Sequence, residues 1–263
     1  MRNTRPRSGL SRRPPLIHAA DPGRPPRRLF DRSAGAATLL LLALAGAAAA
    51  GGEPAPASSV PPRRPAAVLS FHGADWLERE GREAEEKPSL VVQAMELKDG
   101  DVVAEVGCGT GYFSRLLARA VAPSGKVYAE DIQPEMLRLL EKYAARDGLT
   151  NIVPILGTDV DPKLPKASLR WVLLADVYHE FQHPEPMLAR IRESLAPGGR
   201  VALVEYRLEG TTAAHVKPEH RMSIEQVVAE WTRAGFTLVK RLEILPAQHL
   251  FIWSAWRGAR PAP

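Results

Sequence analysis

The fold of this chain is decided by the stretch Val102-Val103-Ala104-Glu105-Val106-Gly107-Cys108-Gly109-Thr110-Gly111-Tyr112-Phe113-Ser114. Its first half is a short apolar run between Asp99-Gly100-Asp101 and the glycines, which is typical of a strand buried on both faces of a parallel sheet. The glycines permit a tight turn in which a ligand lies against backbone N–H groups. From Tyr112 the apolar residues follow helical spacing. A strand, a glycine loop and a helix N-terminus together predict a nucleotide-type ligand site.

The glycine spacing indicates which ligand. Dinucleotide sites use G-x-G-x-x-G or A, whereas Gly107, Gly109 and Gly111 give G-x-G-x-G, with Tyr112 where the third small residue would fall. The Gly-Lys-Ser/Thr ending of a phosphate loop is missing. With Glu105 included, E-x-G-x-G-x-G resembles motif I of the class I S-adenosylmethionine (SAM)-dependent methyltransferases. SAM carries a positive sulfonium, so an acid at the strand end is tolerated there. The alternative is an ordinary glycine-rich βα turn.

A second strand, Gly125 to Ile132, continues the resemblance. It ends in Glu130-Asp131, about twenty residues past the glycine loop, where an acid accepts hydrogen bonds from both ribose hydroxyls. The pair resembles motif II of the family, which usually has an aliphatic residue where Glu130 stands. The resemblance therefore implies that Asp131 binds the ribose of the cofactor and that Ile132, the next residue, also contacts the cofactor.

The third and fourth strands supply the remaining candidates. In the family, polar residues after the third strand contact the adenine, and the matching positions after Asn151–Leu156 are Thr158 and Asp159. The fourth strand, Leu169–Ala175, ends where the transferred methyl group lies in this fold. Asp176, Tyr178 and His179, which follow that strand, are therefore candidates for the catalytic face.

The run His179-Glu180-Phe181-Gln182-His183 matches H-E-x-x-H, a zinc-hydrolase pattern that needs both histidines one turn apart on a helix. A strand precedes it, so such a helix would have to begin at His179. Pro184 follows directly and disfavours helical conformation at His183. A third ligand at a familiar spacing is missing. Zinc hydrolysis is therefore a remote alternative, and no metal ligand is predicted.

The segment before the first strand is predicted to be helical. Phe71–Glu86 forms a polar lead-in, and Pro88 begins a helix that runs to Glu96. In families of this kind that segment often folds over the cofactor, which makes Phe71, His72 and Trp76 candidates for a lid. For Trp76, packing alone is the competing interpretation.

The rest of the chain completes an α/β fold: a doubly wound, Rossmann-like seven-stranded sheet, mostly parallel with a C-terminal antiparallel hairpin and helices on both faces. The turn Ala196–Arg200 resembles the L-x-P-G-G-x turn of the family. The predicted elements here are a helix at Pro184–Leu195, a strand at Val201–Glu205, a helix capped by Ser223 that runs to Ala234, and strands at Phe236–Leu245 and Leu250–Ala255.

Composition divides the chain near residue 65. Residues 1–65 carry eleven Lys and Arg against three Asp and Glu, a net charge of +8. Residues 66–263 carry 24 against 27, a net charge of −3. The basic excess belongs to the first segment, so the remainder presents no basic face, and no nucleic-acid partner is expected.

The first segment resembles an export signal. Arg24–Arg32 is basic, Ala34–Ala50 is uncharged and apolar, and Ala48-Ala49-Ala50 before Gly51 fits a small-residue cleavage site. We expect a periplasmic or secreted protein; an uncleaved membrane anchor stays open, and a misassigned start codon would leave the protein cytoplasmic. The single cysteine, Cys108, excludes an intrachain disulfide and fits either location.

The resemblance also reaches a narrower group of exported bacterial proteins with a methyltransferase type 11/25-like domain and no assigned substrate. Their runs V-Y-H-E-F, K-P-x-H-x-M-S and Q-H-L-F occur here as Val177–Phe181, Lys217–Ser223 and Gln248–Phe251. The predicted organisation is an export leader or anchor (1–51), a disordered linker (52–69), a SAM-dependent methyltransferase domain (70–256) and a tail (257–263).

The resemblance implies methyl transfer from SAM to a small-molecule oxygen, nitrogen or activated carbon nucleophile. An apolar acceptor, reached at a membrane, stays open, as does the oligomeric state. His179 is the first candidate for the base, with Glu205, Tyr206, His220 and His249 as partners. A SAM-binding sensor or scaffold without turnover is the alternative. The predicted catalytic residues are His179, Tyr178 and Glu205, and the predicted cofactor-binding residues are Glu105, Gly107, Cys108, Gly109, Thr110, Gly111, Tyr112, Asp131, Ile132, Thr158, Asp159 and Asp176.

Overall fold

The computed structural model describes residues 63–255. The predicted leader, residues 52–62 of the predicted linker, residue 256 and the tail lie outside the described residues. Residues 63–69, also predicted as linker, lie against the domain instead. Arg63 donates hydrogen bonds to the carbonyl oxygens of Tyr178 and Phe181, and the Ala66 N–H donates to the His179 carbonyl oxygen at 3.0 Å. The folded domain therefore begins at or before Arg63.

A single mixed sheet forms the centre of the domain, in the order β3-β2-β1-β4-β5-β8-β7. The first five of these strands are parallel, and β8 is antiparallel to both β5 and β7. A two-residue strand, β6, which the sequence did not predict, pairs with the end of β5. The strands are β1 (Val102–Val106), β2 (Lys126–Asp131), β3 (Ile152–Leu156), β4 (Leu169–Ala175), β5 (Leu195–Arg207), β6 (Arg221–Met222), β7 (Phe236–Leu242) and β8 (Gln248–Ala255).

Seven α-helices and three short 3-10 turns accompany the strands in the described part of the chain. The predicted cap Ser223 is confirmed, because its hydroxyl accepts a hydrogen bond from the Gln226 N–H at 3.1 Å. The helices are α1 (Ala74–Leu77), α2 (Arg82–Glu86), α3 (Pro88–Ala94), α4 (Tyr112–Ala120), α5 (Pro134–Arg146), α6 (Pro184–Ser194) and α7 (Ile224–Arg233), and the 3-10 turns are Phe71–Gly73, Tyr178–Glu180 and Pro218–His220.

The apolar core consists of two clusters of side chains that alternate along the strands. Val103 packs in one cluster, while Ala104 and Val106 pack in the other. Alternation along β8 is the same, since Phe251 and Trp253 face the cluster that contains Trp231 of α7. This alternation follows from the two-residue period of a strand. A sheet buried on both faces holds β1 and β4 rigidly, and their ends position the site.

Two local predictions differ from the structure. The helical lead-in is broken between α1 and α2, where the Arg82 guanidinium donates to the Leu77 carbonyl oxygen at 2.8 Å and ends α1. The glycine turn at Ala196–Arg200 lies inside β5, and the Arg170 guanidinium donates to the Gly198 carbonyl oxygen at 2.9 Å. Arg170 thus stabilises this turn from the neighbouring strand β4.

Within residues 63–255, no helix has both the length and the apolar character needed to cross a membrane.

Candidate functional site

A cavity of about 780 Å³ opens at the carboxyl edge of the sheet, between the ends of β1, β2 and β4. The strand order reverses between β1 and β4, and in open α/β sheets ligands bind at such a reversal. The volume lies within the roughly 300–1,000 Å³ of small-molecule sites. The topology therefore places a ligand site where the sequence predicts one.

The glycine loop after β1 forms one wall of the cavity. Gly107 has a φ of +68°, and a Cβ there would lie 2.3 Å from a Val177 methyl carbon. Gly111, at the start of α4, has a φ of +79°, and a Cβ there would lie 2.0 Å from the Leu140 side chain. Both positions thus require glycine, for backbone conformation and for space.

The adjacent acids at the end of β2 face the glycine loop from the other side. The Asp131 carboxylate accepts hydrogen bonds from the N–H groups of Gly109 and Gln133, each at 2.8 Å. The Glu130 carboxylate accepts from the Gly107 N–H at 3.3 Å, and its Oε1 is buried without a hydrogen-bond partner. Burial, and then repulsion by Asp131, raises the pKa of Glu130 to about 8. Burial also raises the pKa of Asp131, against the effect of its N–H donors.

Two further acids line the cavity, one on β1 and one after β4. Glu105 accepts a hydrogen bond from the Ser114 hydroxyl at 2.5 Å, and burial raises its pKa to about 8. Asp176 accepts from the Gln248 amide at 3.1 Å, while its Oδ1 is buried without a partner. Burial, and then the charges of Glu86 and Glu205, raise the pKa of Asp176. Negative charge at these carboxyls is therefore costly until a cationic ligand compensates it.

A histidine–carboxylate dyad borders the cavity beyond Asp176. The ring nitrogen Nδ1 of His179 lies 2.6 Å from the Glu205 carboxylate, and the His179 backbone N–H donates to Glu205 as well. Nε2 of His179 lies 3.1 Å from Nδ1 of His220. Burial by itself lowers the pKa of His179, but attraction by Glu205 outweighs it and the pKa is raised. Burial and then His179 lower the pKa of His220.

The N-terminal helices close the cavity with a buried ion-pair network. The Glu86 carboxylate accepts hydrogen bonds from Arg79 at 2.5 Å, from Arg82 at 2.9 Å and from the Tyr206 hydroxyl at 3.0 Å. Burial raises the pKa of Glu86, but Arg82 and Arg79 outweigh it and the pKa is lowered. The Trp76 ring lines the cavity with the Arg79 guanidinium 3.9 Å above its centre. This network is not predicted from the sequence, where its only signal is the cluster of charges in residues 78–87.

Most predicted cofactor residues lie together in this cavity, and a few do not. Thr110 donates to the Glu78 carboxylate at 2.6 Å instead of lining the cavity, and Gly111 packs against Leu140. The lid candidates Phe71 and His72 are also absent from the lining, whereas Trp76 is part of it. The predicted residues that line the cavity are Glu105, Gly107, Cys108, Gly109, Tyr112, Asp131, Ile132, Thr158, Asp159, Asp176 and His179.

The predicted catalytic role of Tyr178 is not supported by its position. Its ring packs 5.4 Å from that of Trp231, and its hydroxyl donates to Glu230 at 2.7 Å, outside the cavity. The reason is the 3-10 turn Tyr178–Glu180, in which successive side chains point about 120° apart, so Tyr178 and His179 cannot both face the ligand. Glu205 is wholly buried and reaches the cavity only through His179.

The H-E-x-x-H pattern does not form a zinc-protease helix. His179 lies in the 3-10 turn, Phe181 is extended, and α6 begins only at Pro184. His183 is exposed and lies 3.6 Å from Asp159. His249, another partner considered for His179, pairs instead with Glu243 at 2.9 Å. Tyr206 and His220 do line the cavity.

Known proteins resemble this chain in the same region. Residues 103–199 match the family model of the methyltransferase domain. A protein-L-isoaspartate O-methyltransferase of Aeropyrum pernix is 31% identical over 126 residues, 44% of this chain and 44% of that protein. A demethylmenaquinone methyltransferase of Geobacillus stearothermophilus is 29% identical over 115 residues, 44% of this chain and 49% of that protein. The chain thus spans about half the length of the curated relatives it matches.

Solved structures share the fold over a longer region. A SAM dependent methyltransferase from Aquifex aeolicus superposes with a TM-score of 0.65 and 23% identity, covering 70% of this chain and 98% of that one. The described domain therefore has the Rossmann-like fold of SAM-dependent methyltransferases, as the sequence predicted. The matched residues 103–199 contain the glycine loop, the acids of β2 and the turn that carries His179.

Proposed function

We propose that this protein transfers a methyl group from SAM to a small-molecule acceptor. The observation that carries the proposal is the convergence of three features on one cavity. These are the glycine loop after β1, the acid Asp131 at the end of β2, and the dyad of His179 and Glu205 beyond β4. The relatives named above support methyl transfer in general.

The residues present fit SAM. Glu130 and Asp176 both line the cavity, and each has a buried carboxyl oxygen without a hydrogen-bond partner in the described structure. Asp131 would hold the ribose, and Thr158 and Asp159 would border the adenine. When bound, SAM supplies a methyl group on a positively charged sulfur. Burial raises the pKa values of the surrounding carboxyl groups, and a positive charge bound beside them would favour their ionised forms.

The role of His179 in this proposal is to receive the proton of the acceptor. With Glu205 on Nδ1, the proton of the neutral ring lies on Nδ1 and the electron pair on Nε2, which lies 3.1 Å from Nδ1 of His220 at the cavity edge. Burial lowers the pKa of His179 but Glu205 raises it by more, which makes the ring a stronger base. The other contributions of the protein are alignment of the two reactants and exclusion of water by the N-terminal segment.

The acceptor is proposed to be partly apolar. Its side of the cavity includes Val68, Leu69, Trp76, Phe181 and Met187. These side chains give an apolar wall to a small molecule, while His179 gives one polar contact.

Calorimetric titration of the full-length protein with SAM and with S-adenosylhomocysteine tests the proposal. We expect micromolar binding that falls by about 10- to 100-fold in Asp131→Ala, because hydrogen bonds to a charged group are worth about 1.5–3 kcal/mol. Asp75→Ala, an exposed acid on α1 outside the cavity, is the matched control and should bind like wild type. Folded wild-type protein that binds neither ligand would refute the proposal.

Export is proposed on the sequence of residues 1–51 alone. We expect a mature chain that begins near Gly51, and mass spectrometry of the protein from a fractionated bacterial host would measure this. An intact N-terminus in the cytoplasmic fraction would contradict export.

A further inference from the structure

We propose that His179, Glu180 and His220 bind a divalent transition-metal ion at the edge of the cavity. One ligand atom from each residue lies within 4.8 Å of the other two. All three residues line the same cavity as the glycine loop. Two imidazoles and one carboxylate form a ligand set typical of zinc and of non-haem iron sites.

The two histidines already have the spacing that a shared ion requires. Nε2 of His179 and Nδ1 of His220 lie 3.1 Å apart. Metal–nitrogen bonds of about 2.0–2.1 Å at a tetrahedral angle would place two nitrogens about 3.3 Å apart. The Glu180 carboxylate supplies the third ligand atom, within 4.8 Å of both nitrogens.

Groups behind the ligands fix their orientation. The Glu205 carboxylate binds Nδ1 of His179 at 2.6 Å, so the free nitrogen Nε2 points to the proposed ion. A carboxylate on the far nitrogen of a ligand histidine is a recurrent feature of metal sites, because it fixes the tautomer and increases the basicity of the ligand. The carboxylate ligand Glu180 accepts a hydrogen bond from the Leu69 N–H at 3.1 Å.

The local charge also favours a cation. Two carboxyl groups adjoin the pair of imidazoles: Glu205 at 2.6 Å from Nδ1 of His179, and Glu180 within 4.8 Å of the two other ligand nitrogens. His179 is buried, whereas Glu180 and His220 are partly exposed, so an ion can enter from the cavity. The opposite side of the ion would face the acceptor. With Nε2 of His179 bound to the ion, that nitrogen no longer receives the acceptor's proton; the ion would instead lower the pKa of a coordinated acceptor oxygen, whose proton would pass to solvent. This step is the one part that rests on the proposed methyl transfer; metal binding does not.

The test is binding of zinc chloride to the full-length protein after treatment with a chelator, followed by calorimetry and by metal analysis after dialysis. We expect one ion that is lost, or bound at least about tenfold more weakly, in His220→Ala and in Glu180→Gln. Glu205→Gln should weaken binding by about 10- to 100-fold without removing a ligand. Cobalt chloride, used as a second probe, should give visible absorption bands in wild type that disappear in His220→Ala.

His183→Ala is the matched control, because His183 is an exposed histidine of the same H-E-x-x-H run, only four residues from His179. It should bind zinc like wild type. Equal zinc binding by wild type and His220→Ala, or no binding by folded wild type, would overturn the proposal. SAM titration of the same metal-free sample separates the two proposals: SAM binding without zinc binding refutes the metal site alone, and the reverse refutes the methyltransferase function alone.

Discussion

The two sides of the cavity are built differently. The cofactor side consists of two short stretches, residues 105–112 and 130–133, each of which leads directly from a strand into a loop or helix. The acceptor side brings together His179, Glu205 and His220 from three distant parts of the chain, with residues 63–79 packed across them. The cofactor side therefore depends on local backbone geometry, whereas the acceptor side depends on tertiary packing. Mutations on the cofactor side should therefore act through local backbone geometry, and mutations on the acceptor side through the packing of distant segments.

The largest loss of stability is expected from Gly111→Ala on the cofactor side. A left-handed conformation and a Cβ 2.0 Å from Leu140 should together cost on the order of 3 kcal/mol of unfolding free energy. Denaturant titration measures this. In the control Gly148→Ala, the φ is +68° but the space around the Cβ is open, so only about 1 kcal/mol is expected. Equal costs at the two positions would show that the contact with Leu140 does not matter.

A second test concerns the buried acid Glu130. Its pKa of about 8 in the folded protein exceeds the unfolded value of 4.5, so the folded state retains a proton that the unfolded state has released. Stability should therefore fall as pH rises from about 4.5 to 8. Glu130→Gln should match wild type at pH 4.5 and exceed it by about 5 kcal/mol at pH 9, since the folded and unfolded pKa values differ by about 3.5 units and one unit corresponds to about 1.4 kcal/mol.

Thermal or denaturant unfolding across pH 4.5–9 measures this difference. Part of the slope should persist in Glu130→Gln, because Glu105 also has a pKa of about 8. The exposed Glu141→Gln control should follow the wild-type profile. If the unfolding free energy of Glu130→Gln changed with pH in parallel with that of wild type, the assignment of the buried proton to Glu130 would be contradicted.

On the acceptor side, Glu205→Gln should cost about 1.5 kcal/mol of unfolding free energy, because it weakens a charged hydrogen bond to a buried histidine. SAM affinity should stay unchanged, since Glu205 does not line the cavity. Glu243→Gln is the comparison at a more exposed histidine–glutamate pair: Glu243 is 43% exposed and also pairs with Arg207 and Arg241, and its replacement should cost less than about 1 kcal/mol. A large loss of SAM affinity in Glu205→Gln would show that the two sides are not independent.

The smallest effect is expected from Trp76→Ala, at the boundary between the two sides. Trp76 lines the cavity but is 50% exposed, and its stacking on Arg79 is worth about 0.5–1 kcal/mol. The dissociation constant for SAM should rise by about two- to fivefold in calorimetry. Val239→Ala, an exposed apolar residue on β7, is the control and should change nothing. Unchanged SAM binding in Trp76→Ala would limit Trp76 to packing.

The parts of the site that the sequence predicted are those whose geometry is local. The glycine loop follows from φ angles that only glycine adopts freely, and Asp131 follows from its place at the end of β2. The prediction for Tyr178 failed because a strand end does not specify which way the next turn rotates its side chains. The boundary at residue 69 failed because Arg63 is anchored by carbonyl groups more than a hundred positions away.

The sequence by itself was enough to predict the α/β class, the glycine loop, the acid at the end of β2 and the cap at Ser223. Each of these depends on the spacing of apolar residues, on backbone strain or on helix capping, which act over only a few residues. Only the tertiary structure decided which histidine meets His179. The sequence offers His220 and His249 as partners and places His183 four residues on; in the structure an extended Phe181 separates His183 from His179, His249 pairs with Glu243, and His220 lies at 3.1 Å. Contacts between distant segments depend on the order of the strands in the sheet and on the direction in which the chain turns at their ends. Neither can be predicted from a short stretch of sequence.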